Sequence, residues 1–139
     1  MRSGFPVPVR QWIGAPVSVG DLDGDGVLEV IAVDEAGLLF AWHDDGSRVE
    51  GFPTDMVSSG LPAAITGDLD GDGDDEIIVV SNRSRNFGAV VYVFDGDGSL
   101  LDSVNVEVNV AGTPTRADLD GDGQAELIAT SRRRLEDPD

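Results

Sequence analysis

The chain holds 139 residues, with nine arginines and no lysine against 27 aspartates and glutamates, for a formal net charge of −18. That charge excludes nucleic acid as a partner and disfavours anionic membrane surfaces, because phosphate would meet a field of its own sign. No apolar run approaches the roughly 18 residues of a membrane span. With no cysteine and one histidine, there is no disulfide, zinc-thiolate, cysteine-nucleophile or multi-histidine chemistry.

The first residues, MRSGFPVPVRQW, lack the apolar core of a signal peptide, so an exported protein would carry its signal outside this chain. After them a unit begins that occurs three times. GDLDGDGVLEVI at 20–31 returns as GDLDGDGDDEII at 67–78 and as ADLDGDGQAELI at 117–128. The leading acids Asp21, Asp68 and Asp118 lie 47 and 50 residues apart. Gly4-Phe5-Pro6 and Gly51-Phe52-Pro53 each begin 17 residues before a leading aspartate. Leu101-Asp102-Ser103 stands at that offset in the third copy, which lacks the marker.

Short apolar runs bounded by Gly and Asp read as strands. In the first copy they are Ala15 to Gly20, Leu28 to Val33, Leu38 to Trp42 and Arg48 to Phe52. In the second they are Ala63 to Gly67, Glu76 to Ser81, Ala89 to Phe94 and Leu100 to Val108. Asp95-Gly96-Asp97-Gly98 makes the turn before the last of these. The third copy has Thr113 to Ala117 and Glu126 to Thr130. No helical period is sustained. The fold class is all-β, with about four antiparallel strands in each repeat of 47–50 residues. That is the size of a propeller blade. The divisions are the end of a preceding blade at 1–14, repeats at 15–60 and 61–110, and a partial repeat at 111–139. Under three blades cannot close a ring of roughly four to eight. The expectation is an excerpt of a larger propeller, completed by further blades of a parent chain or by a second copy.

Between the first two strands of each repeat runs Asp-Leu-Asp-Gly-Asp-Gly-x-x-Glu. Alternate acids of a tight turn can converge on one point, and the glycine at position 6 allows the reversal that wraps the chain round an ion. Position 7 would offer a backbone carbonyl, from Val27, Asp74 or Gln124. The glutamate at position 9 closes the shell. An all-oxygen set of about six ligands suits calcium. Close acids repel pairwise by about 1–4 kcal/mol at about 4 Å, depending on the effective dielectric, so the loops call for a cation. The competing helix-flanked calcium loop closes at position 12. That position holds Ala32, Val79 and Ala129 here, and strands flank the loops.

These residues, 21–31, 68–78 and 118–128, resemble the FG-GAP/VCBS class of calcium-binding propeller repeats, also found in the integrin α-chain head. The resemblance implies about three calcium ions, one per repeat. The ligands it implies are Asp21, Asp23, Asp25 and Glu29; Asp68, Asp70, Asp72 and Glu76; and Asp118, Asp120, Asp122 and Glu126. The Phe-Gly and Gly-Ala-Pro signatures of the integrin repeat are absent in register, Phe87-Gly88 falling before a third strand. The stretch AWHDDGSRVEGFP at 41–53 is instead similar to secreted bacterial repeat proteins. The expectation is a secreted or cell-surface bacterial module with no catalysis of its own, presenting a surface to a protein or glycan ligand. The alternative is part of a calcium-loaded propeller polysaccharide lyase or another secreted carbohydrate-active enzyme. The near-constant repeat spacing leaves little room for catalytic insertions.

The remaining features read as structural. His43 reads as a surface histidine, and Asp95 and Asp97 as turn residues. Phe5, Trp12, Trp42, Phe52 and Tyr92 read as packing between blades. Asn82-Arg83-Ser84 is a glycosylation sequon relevant only to a eukaryotic secreted protein. Arg132 to Arg134 reads as a solvated basic run.

Overall fold

The computed structural model describes residues 4–9, 11–56, 62–82, 88–123 and 125–131. Ten strands and no helix occur among them: β1 Ser18–Gly20, β2 Glu29–Val33, β3 Leu38–Trp42, β4 Thr54–Asp55, β5 Ala63–Gly67, β6 Glu76–Asn82, β7 Ala89–Phe94, β8 Leu100–Val106, β9 Val110–Ala117 and β10 Glu126–Ser131. They form two four-stranded meanders, β1-β2-β3-β4 and β5-β6-β7-β8, and a two-stranded sheet of β9 and β10. Every pairing is antiparallel. These are propeller-blade repeats, as the sequence spacing predicts.

A sheet with two apolar faces must be covered on both, and side chains that alternate along a strand serve the two sides in turn. Ile31 and Val33 of β2 face the second sheet, where they join Leu39, Ala41, Ile77, Val79, Tyr92 and Phe94 in one buried cluster. Ala32, Phe40 and Trp42 face the other way, under Phe5, Val7, Val9 and Ile13 of the segment before β1. Phe40 and Trp42 stack with ring centres 5.3 Å apart. Val80 and Ala89 of the second sheet meet Val110 of the third. The sheets therefore stack in chain order.

Polar bonds tie the seams. Ser18 Oγ donates to the Ala64 carbonyl, and Thr66 Oγ1 donates to the Val19 carbonyl at 2.7 Å. At the second seam the Asn82 side chain pairs with both main-chain groups of Val110, at 2.8 and 2.9 Å.

Several expectations need correction. Of Ala15 to Gly20 only Ser18–Gly20 forms a strand, β8 ends at Val106 and not Val108, and β9 begins at Val110, before the expected Thr113. Arg48 to Phe52 is not a strand: only Arg48 bridges β3, at Trp42, and β4 begins later, at Thr54. Gly51 turns away with φ 88° and packs on the next unit, where a Cβ would lie 1.9 Å from the Asp97 carbonyl oxygen. Gly4 does the same to the first unit, 1.5 Å from the Asp45 carbonyl oxygen by the same measure. The Gly-Phe-Pro marker is thus a docking element that reaches onto the following turn. Trp12, expected between blades, is 78% exposed. It precedes the first strand and is held through its carbonyl, which accepts from Glu35 N at 3.0 Å. Trp42, Phe52 and Tyr92 are buried and Phe5 is half-buried.

The 95–98 turn forms as expected, Gly98 N donating to the Asp95 carbonyl at 2.9 Å. Residues 83 and 84 of the sequon, Phe87, and Arg132 to Arg134 lie outside the described residues.

Candidate metal centre

The three acidic loops join β1 to β2, β5 to β6 and β9 to β10. Each is closed by hydrogen bonds that the Asp-x-Asp-Gly-Asp-Gly spacing dictates. The glutamate opening the second strand reaches back to the amide of loop position 2. Leu22 N donates to Glu29 Oε2 at 3.0 Å, Leu69 N to Glu76 Oε2 at 2.7 Å, and Leu119 N to Glu126 Oε2 at 2.9 Å. The first aspartate accepts across the turn, Asp21 Oδ2 from Gly26 N at 2.9 Å and Asp118 Oδ2 from Gly123 N at 3.0 Å. Asp25 and Asp72 each accept the amide two residues on, at 2.7 and 3.0 Å, the Asx turn that bends the loop. Gly24 and Gly26 have φ of 67° and 83°, the left-handed region in which side chains other than glycine are disfavoured.

Three groups of carboxylates that can hold a metal ion result, each with one ligand oxygen per residue and these oxygens within 4.8 Å of one another: Asp21, Asp23 and Glu29; Asp68, Asp70 and Glu76; and Asp118, Asp120 and Asp122. Asp25 and Asp72 stand outside the first two groups, and Glu126 stands outside the third. Val27 is exposed. Gln124 lies outside the described residues.

Asp21 carries the clearest sign of a missing partner. One of its oxygens is used by Gly26, while Oδ1 is buried with no hydrogen-bond partner among the described residues. A buried anionic oxygen without a partner carries a desolvation cost that a cation removes. The donor set is all carboxylate oxygen, which fits a hard divalent ion. Glu76 is 3% exposed. Burial pushes its carboxyl up, the Leu69 amide opposes this, and the charges of Asp70, Asp72 and Asp68 add to the rise.

Two contacts are absent from the sequence reading. His43 Nδ1 lies 3.2 Å from Glu29 Oε1. The register that pairs Val30 with Trp42 sets residue 43 opposite residue 29, so correct strand pairing alone would have found this. Asp74, read as a carbonyl donor to its own loop, also turns its carboxylate onto the first loop, where a Cβ on Gly24 would lie 2.2 Å from Asp74 Oδ1. Desolvation raises the Asp74 carboxyl, helped by the charges of Asp72, Asp21, Asp23 and Asp95. No sequence signal marks that reach, because it spans two units.

Elsewhere, a cavity of about 460 Å³ between β5 and β9 is lined by residues including Ala63, Val110 and Thr113, with no titratable side chain among the described residues of its walls. A second, of about 740 Å³, lies between the second and third loops beside Asp68, Asp70, Arg116 and Asp118.

Among known proteins, no curated sequence and no solved structure is matched. The model of the FG-GAP-like repeat matches twice, over residues 21–79 and 68–129, each match running from one acidic loop through the next. Repeats of this family, in propeller-like sheets, account for most of the chain, which belongs to the FG-GAP-like repeat family.

Proposed function

We propose that this chain is a calcium-binding propeller-repeat module of a secreted or cell-surface bacterial protein, and that it acts by presenting a surface to a protein or glycan ligand and not by catalysis. The observation that carries the reading is Asp21 Oδ1, buried and unpartnered among the described residues, in a group with Asp23 and Glu29. The ligands are the carboxylates of the three groups, completed by Asp25, Asp72 and Glu126 and by the carbonyls of Val27, Asp74 and Gln124. Bound calcium supplies positive charge that turns mutual repulsion within each loop into attraction. The protein's own part is to hold the acids in place, through the Leu22, Leu69 and Leu119 amides on the three glutamates. The proposed setting and the proposed ion agree with each other, because extracellular modules bind calcium at about 10⁻⁴–10⁻³ M. The absence of catalysis is supported by the kind of group the loops hold, since a carboxylate fixed on a metal is a poor proton carrier.

Thermal unfolding in about 1 mM calcium and in chelator tests this. A site with a dissociation constant near 0.1 mM adds about 1.4 kcal/mol at that concentration. The expected result is a midpoint several degrees higher with calcium, and loss of part of that rise in Asp21→Asn. An identical midpoint in both solutions removes the calcium reading.

A further inference from the structure

The three loops have nearly the same sequence but not the same neighbours. Beside the first loop stands the second unit's Asp74-Asp75 pair. Asp75 grips the loop's first acid by its backbone, its amide donating to the Asp21 carbonyl at 2.7 Å and its Oδ2 accepting from Asp21 N at 3.2 Å. That clamp sets the adjacent Asp74 carboxylate over Gly24, facing Asp21 and Asp23. Beside the second loop stands the third unit, whose sequence has Gln124 and Ala125 at the positions of the two acids. What it brings instead is Arg116, whose guanidinium lies against Gly67 and whose Nη1 donates to the Asp68 carbonyl at 3.0 Å.

We propose that the calcium affinity of each of the first two acidic loops is set by the unit that follows it, Asp74 of the second unit strengthening the first loop and Arg116 of the third weakening the second. This rests on the calcium reading above. The sign follows from charge. An ion in the first loop meets an anionic side chain beyond its own ligands, and an ion in the second meets a fixed cation. The Asp74 carboxylate faces Asp21 and Asp23 of the first loop as well as Asp72 of its own, so one residue serves two sites, and only the first loop gains it from another unit. Arg116 is half-buried in the wall of the 740 Å³ cavity beside Asp68 and Asp70, where water screens its charge less than on an open surface. The loops are thereby graded, the first filling before the second as calcium rises.

Calcium titration of the full chain, followed by ¹H–¹⁵N NMR, reads each loop separately through the amides of Gly26, Gly73 and Gly123. The first loop's midpoint is expected at least about threefold below the second's. Asp74→Asn is expected to raise the Gly26 midpoint by about threefold or more, with Gly123 unmoved, and Asp74→Glu to hold it near the parent value. Arg116→Gln is expected to lower the Gly73 midpoint by a similar factor, about threefold. Dispersed spectra of the variants show that the fold is kept. Gly26 and Gly73 midpoints that coincide, or that ignore both Asp74→Asn and Arg116→Gln, overturn the proposal while leaving calcium binding intact. Amides indifferent to calcium in all three loops overturn the calcium reading itself.

Discussion

At Gly96 two units touch backbone to backbone. A Cβ there would fall 1.9 Å from the Leu22 carbonyl oxygen, and Leu22 beneath it is 3% exposed. Main chain cannot move aside as a flexible side chain can, so Gly96→Ala must part the seam. A loss of about 1–3 kcal/mol is expected, as for other overpacked interiors. It should appear as a lower denaturant midpoint with an unchanged slope. What is local was readable from the chain: the convergence of the acids at loop positions 1 and 3, and the glycines that let the loop turn. Gly96, His43 and Asp74 were not. Each owes its role to something brought near by pairing or stacking, His43 to Glu29 across a sheet, Gly96 and Asp74 to the unit before their own.

Among the elements, three strands were legible to the residue. Leu38–Trp42, Ala63–Gly67 and Ala89–Phe94 are apolar runs closed by Gly or Asp, and the structure gives them those bounds. The failure at Arg48 to Phe52 has the opposite cause, since that stretch is shaped by the turn it docks on and not by a partner strand. The loops between strands have a pH signature of their own. Without an ion, Glu76 and Asp74 both release their protons at a higher pH than free carboxylates do, mainly through desolvation and the neighbouring aspartates. The folded state then binds protons more tightly than the unfolded one. The destabilisation from their ionised forms is complete above the raised values and fades as pH falls toward about 4–4.5. Asp45 and Asp97 are held low by Ser47 and Ser99. Their stabilisation is lost only below the ordinary range, outside this window. Melting in chelator should therefore rise in midpoint as pH falls through the raised values toward about 4–4.5. Protons compete with calcium for the same oxygens, so the calcium-loaded protein should move the other way.

Across the whole molecule, the sheets share one interior. Ile77, fully buried, sits in the cluster that joins the first two sheets. Ile77→Ala is expected to cost about 2–5 kcal/mol. Because the cluster is common to both sheets, the loss should register in the first sheet too, as an earlier unfolding step in the fluorescence of Trp42. The cover over the loop leucines is uneven. Leu22 is 3% exposed, Leu69 38% and Leu119 67%. The first lies under the second unit's turn at Gly96, whereas no described turn lies in that place over the other two.

That turn also gives the repeats a direction. Glu29 and Glu76 open matching strands, and Val30 faces Trp42 as Ile77 faces Phe94, so the counterpart of Gly96 in the first unit is Asp44. A side chain begins there where the second unit has none. Near-identical repeats are for that reason not interchangeable tiles: the second is cut to succeed the first, and the first is not cut to succeed a neighbour in the same way. A gene in which the two were transposed would encode every strand and every acidic loop, yet put a Cβ against a carbonyl at the join.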